Sequence, residues 1–170
     1  MLKKDFDSIF NEKIKELEQV LPEHEGERNG AAWTLLSVLD VLGLKEPFYN
    51  NLMIGLGLGG YDSLCGWKSA CGVIYGGCAA IGVIIGGKKE LKFSKKLRVT
   101  KKTTTFINNF EKKFGAITCE QLSGVDFTNP EEMPNYRTNK VWENCCCKYI
   151  MWAVNEIRIL TSRELNKYWS

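Results

Sequence analysis

One histidine, four prolines and no CxxC pair leave the sequence short of the residues that build the commonest metal and disulfide sites. His24 stands far from every cysteine, which argues against a conventional zinc site of mixed His and Cys ligands. The missing CxxC disfavours zinc ribbons and thioredoxin-type centres, and without a CxxCH segment no covalently attached haem is expected. Phosphate loops, nucleophile elbows and histidine-based acid–base pairs are absent too, so hydrolysis and phosphoryl transfer have no support. The net charge is only +3, and no nucleic-acid motif accompanies it, so no nucleic acid is expected as a partner. The first twenty residues mix acids and bases and lack the apolar core of a signal peptide, which predicts a cytoplasmic protein. The uncharged, largely apolar stretch over residues 70–87 has eighteen residues. That is the lower limit for crossing a bilayer, its glycines weaken its hydrophobicity, and no membrane span is expected.

What the sequence has is cysteine, seven in 170 residues. An odd number of thiols in a reducing compartment speaks for metal, redox or packing roles rather than a disulfide scaffold. The length and ordinary composition suit one domain, residues 1–170, with a core of its own. Apolar residues recur at helical spacing over residues 3–21, closed by Pro22, and again over 31–42, with Gly43 as cap. A short helix is predicted from Phe48 towards Gly60, then a loop over 61–69 containing Cys65. Residues 70–87 read as a buried helix whose glycines leave one side nearly bare, since Gly72 and Gly76, and Gly82 and Gly86, are four apart. Such a side admits another helix or a cofactor. Lys88 to Lys102 is predicted as a solvated basic loop, with an anionic partner as the other reading. Helices over 101–114, from Thr118, and over 139–168 complete an all-α fold, a compact multi-helix bundle around the central glycine-rich helix.

The cysteines fall at informative positions. Cys71 is predicted at the start of the central helix. Thr118 and Gln121 form a capping box, which puts Cys119 in the first turn of the next helix. Amides at a helix N-terminus favour a thiolate and predict lowered pKa values for both. At 100° per residue, Cys146 shares the inward face of the last helix with Tyr149, Ile150, Ala153, Ile157 and Leu160, while Cys145 and Cys147 project to either side. Cys78 lies on the face of Cys71 two turns along, about 10 Å away and too far for a disulfide, and packing is its simplest role.

Four stretches together resemble a redox-active family named for its Cys, Gly-Cys-Ala-x-x-Gly, Cys, Cys signature. LGLGG followed by CGVIYGGCAAIG is similar to the family's glycine run and CGAxxG segment, with Val73 in place of Ala. The string GCAAIG over 77–82 also spells the signature, which keeps Cys78 as a second candidate. FINNFEKKFGAITCEQLSG is similar to the segment around the third cysteine, here Cys119. CCKYIMWAVNEI is similar to the last, here Cys146. The likeness runs from Asn29 to Leu160. It departs at the family's first cysteine, set in Asn-Cys-Ala, where this chain has Asn29, Gly30 and Ala31. Cys65 is the candidate to replace it.

A related module in split-Soret cytochrome c carries an iron–sulfur cluster beside its haems. The resemblance therefore implies a redox protein, with Cys71, Cys119, Cys146 and Cys65 holding an iron–sulfur cluster for electron transfer or redox sensing. Cys78, Cys145 and Cys147 are the lesser candidates, and Gly72 and Gly76 would bring bare backbone to the cofactor. The partner would be a redox protein, and the glycine face leaves a homodimer open. Two alternatives compete: a metal-free thiol–disulfide protein on the same cysteines, and a non-enzymatic helical interaction module using the basic stretch.

Overall fold

Two helices are buried on nearly every side, and the rest of the chain is arranged around their crossing. A computed structural model describes residues 4–45, 47–56, 69–87 and 90–169. Within these it contains eight α-helices: α1 (Phe6–Val20), α2 (Gly30–Val41), α3 (Phe48–Ile54), α4 (Gly72–Gly86), α5 (Phe93–Phe114), α6 (Cys119–Ser123), α7 (Met133–Thr138) and α8 (Cys147–Tyr168). The only pairing of extended backbone among the described residues is a single antiparallel bridge. The all-α bundle expected from the sequence is the fold observed.

Helices α2 and α4 are apolar all round because both lie at the centre. They form the most extensive helix pair, with α8, α5 and α1 packed outside them. Glycine makes the crossing close. A Cβ at Gly76 would lie 2.3 Å from the Ala31 carbonyl oxygen of α2, and one at Gly77 would lie 2.4 Å from the Phe106 ring of α5. The glycine-rich face therefore receives a helix.

Asn29 fixes where α2 begins. Its side-chain oxygen caps the helix by accepting from Ala32 N–H at 2.8 Å, while its Nδ2 donates to the Met53 and Ile54 carbonyls at 3.0 Å each. One side chain thus starts α2 and satisfies the end of α3. At the end of α1, Pro22 sits in a 3₁₀ turn over Leu21–Glu23. α3 is shorter than expected, and residues 57–60 of its predicted extension lie outside the described residues.

The basic stretch differs from expectation. Lys92 precedes α5, and Lys95 to Lys102 lie within that helix instead of in a loop. The buried Phe106 and Phe110 anchor the far half of α5 against Trp152 and Tyr149. The near half is held by Arg98, which donates to the buried Glu164 carboxylate at 3.0 Å, and by Lys95 over the Tyr168 ring. Phe93 and Leu97 remain exposed on it. No helix among the described residues is long and apolar enough to cross a membrane.

Candidate functional site

The N-terminal end of α4 meets the segment entering α6 through backbone pairing. Ala70 bridges Thr118, and Cys71 N–H donates to Ile117 O at 2.7 Å. Cys71 becomes the N-cap residue of α4 and Cys119 the first residue of α6, capped by Thr118. The Thr118 hydroxyl donates to Gln121 Oε1 at 2.9 Å, so the two capping side chains bond each other. This small junction brings together two cysteines 48 positions apart in the chain.

The third thiol arrives by an irregularity. Residues Trp142–Cys146 form a turn of π-helix, with Cys147 N–H donating to the Trp142 carbonyl five residues back. Such a turn holds one residue more than an α-turn, a device often found at functional sites. Leading into it, Lys140 takes a left-handed φ of 47°. The buried residues of α8 are Cys147, Ile150, Ala153, Val154, Ile157, Thr161, Glu164 and Leu165. Cys146, Tyr149 and Leu160, expected on the inward face with Ile150, Ala153 and Ile157, pack against that core, and Cys146 also borders a cavity. Cys147, expected to project sideways, belongs to the core as well.

That cavity, about 1000 Å³, is lined by Cys71, Cys119 and Cys146 together with Gly72. The remaining predicted site residues lie elsewhere or at its margin. Gly76 packs on the Ala31 backbone, which leaves no room there for the cofactor expected beside it. Cys78 is half-buried further along α4. Cys145 stands close enough to Cys119 and Cys146 to interact electrostatically with both, and it adjoins Tyr149, whose hydroxyl donates to Leu122 O at 3.2 Å. Cys65 lies outside the described residues.

Burial dominates the thiol chemistry. The lowered pKa values expected at the helix starts are not found, because removal from water outweighs the helix amides. Burial raises Cys71, Cys119 raises it further, and the amides of Val73 and Ile74 only partly oppose them. Neither amide makes a full hydrogen bond to the sulfur, and Ile74 N–H is already donated to Cys71 O at 2.9 Å. Burial, then Cys146 and Cys145, pushes Cys119 up to about 12. For Cys146 burial prevails over the Tyr136 hydroxyl, and the value is pushed up to about 11.

The structure adds residues that spacing gave no reason to choose. Tyr136 Oη lies 3.6 Å from Cys146 Sγ. The Tyr136 hydroxyl comes from α7, ten residues upstream, a separation with no helical meaning across an intervening turn. Trp142, locked by its Nε1–H donating to Leu21 O at 2.6 Å, forms a fixed wall. Arg137 is on the rim. The only hint in the sequence was their closeness to the cysteine run.

Among the described residues no group of three or more Cys, His, Asp or Glu side chains is arranged to hold a metal ion. The three cavity thiols share one chamber without converging on one ion-sized point. The family model described as "Putative redox-active protein (C_GCAxxG_C_C)" matches residues 29–159. No curated protein and no solved structure is matched.

Proposed function

The chain belongs to the C_GCAxxG_C_C family of redox-active proteins, and from that premise we propose that Cys71, Cys119 and Cys146 are its redox centre and hold an iron–sulfur cluster. The observation that carries this reading is that three thiols from three distant segments line a single cavity. The donor set is all sulfur, the chemistry that iron–sulfur clusters require, and it fits the group in kind. A cluster would spread its thiolate ligands over more than one iron, so they need not all meet at one point as those of a single tetrahedral ion must. Cys65, six positions before Cys71, is the proposed fourth ligand.

Bound there, the cluster would supply one-electron transfer at a potential set by its ligands and surroundings. The chain's own contribution is the surroundings. Tyr136 can donate its hydroxyl to the Cys146 sulfur, because a thiolate only accepts. The Val73 amide partly offsets negative charge at Cys71. Apolar walls that include Trp142 and Val73 border the same cavity as the sulfurs, and the low polarity beside them would shape the potential further. The role is electron transfer or redox sensing with a redox partner protein.

Anaerobic purification followed by visible absorption, iron and acid-labile sulfide assays tests the proposal. The wild-type chain should be brown with matched iron and sulfide, Cys71→Ser should lose both, and Cys78→Ser should keep both. Full iron and sulfide in Cys71→Ser would sink the assignment. An iron-free protein after reconstitution, with the same thiols oxidising reversibly under a glutathione gradient, would move these residues to thiol–disulfide chemistry.

A further inference from the structure

The cavity over the thiols is much larger than three cysteine side chains require. Its volume of about 1000 Å³ is at the upper end for small-molecule pockets. Its composition also follows that pattern, with mostly apolar walls and a few polar groups at the edge. Phe127, Met133, Tyr136 and Trp142 supply flat or flexible apolar surface. Phe127 and Tyr136 stand 5.9 Å apart between ring centroids, and the hydrogen bond to Leu21 O holds the Trp142 indole still. Rigid aromatic walls favour flat rings over flexible chains, since stacking against them immobilises little on either side.

The rim sets the sign of the ligand's charge. Two guanidinium groups, Arg28 and Arg137, and one carboxylate, Glu25, border the opening. Arg28 is already engaged over the Trp33 ring at 5.0 Å. Arg137 has no ion-pair partner among the described residues, and its fork of donors is suited to a carboxylate.

We propose that this cavity binds a flat aromatic molecule bearing one acidic group, with the ring among Phe127, Tyr136 and Trp142 and the acid on Arg137. The ligand then shares the cavity with Cys71, Cys119 and Cys146 and sits beside whatever those thiols hold, and its significance as the small-molecule partner of a redox centre rests on the function proposed above. Its binding does not.

Photolabelling of the full-length, anaerobically purified chain with 4-azidobenzoate tests this directly. The label should fall on peptides spanning 127–146. Unlabelled 2-naphthoate should compete about tenfold better than the uncharged 2-naphthalenemethanol, the scale of one charge-assisted contact. Arg137→Glu, an exposed change on the rim, should remove that preference while leaving the circular dichroism spectrum unchanged. Labelling spread over the exposed apolar residues of α3 and α5, or equal competition by the acid and the alcohol in the wild type, would overturn the proposal. Iron, sulfide and reversible thiol oxidation are read on the same preparation before illumination. If they fail while labelling holds, the redox reading falls and the ligand site stands; success there with scattered labelling gives the reverse.

Discussion

Helices α2 and α4 are packed without a gap where they cross, and at their N-terminal ends both border a large cavity. At Gly76 the backbone of α4 rests on the Ala31 carbonyl, and even a single Cβ has no place. Towards the start of both helices, Gly30 and Gly72 border the chamber that Cys71 shares with Cys119 and Cys146. The same residue type serves opposite ends, close approach in one place and open backbone beside thiols in the other.

The sharpest way to break this contrast is Gly76→Ala. Its Cβ would meet backbone, which cannot rotate aside, and a loss of about 3 kcal/mol is expected in urea unfolding. A loss below about 1 kcal/mol would mean that the crossing is looser than described.

Raising pH tests the buried thiols on both sides of the contrast. In the metal-free protein Cys78 and Cys146 are pushed up to about 11, and Cys119 and Cys147 to about 12, all chiefly by burial, from a starting value of 9.0. Their folded-state values lie above the unfolded one, so the unfolded chain loses these protons first. Their contribution to stability is complete below pH 9 and disappears as pH climbs towards 12. Thermal melts of the metal-free chain from pH 8 upward should show a steady fall. A flat profile across that window would contradict the burial of these thiols.

Adjacent residues of α8 sharpen the comparison next. Cys147→Ser puts a hydroxyl into the core and should cost about 1–3 kcal/mol. Cys146→Ser, at the cavity wall, should cost about 0.5 kcal/mol in stability while removing the redox signal. Equal costs for the two would erase the distinction between a core position and a cavity wall. The smallest effect expected is at Gly82, where an added Cβ meets nothing within 4 Å. Gly82→Ala should stabilise the protein by about 0.5–1 kcal/mol through helix propensity alone, opposite in sign to Gly76→Ala in the same helix.

Much of this architecture is legible in the sequence because it follows from local rules. The apolar spacing of α1 and α2, Gly43 and Gly115 as stops, and the positions of Cys71 and Cys119 at helix starts all depend on neighbours within a turn or two. The misses are non-local. The run Phe93 to Thr100 carries too few apolar residues to announce a helix; Phe106 and Phe110 anchor it downstream, and Glu164 and Tyr168 hold it from across the bundle. Counting 100° per residue along the last helix places Ile150, Ala153 and Ile157 inside, as found, but the burial of Cys147 beside them and the cavity at Cys146 depend on what packs around the start of that helix. Lowered thiol pKa values were expected from helix ends alone, before the depth of burial could be known.

The contact between Gly30 and Val73 reaches beyond this one chain. The family pattern has cysteine where Gly30 stands and alanine where Val73 stands. In this structure a Cβ on Gly30 would come within 2.9 Å of Val73 Cγ2, and both residues border the cavity. The two departures therefore fall on one wall, where a sulfur-bearing side chain is missing and two carbons are added. Gly30→Cys alone presses on the valine, and Val73→Ala alone opens a void. The paired replacement would return a thiol to that wall with the clash relieved.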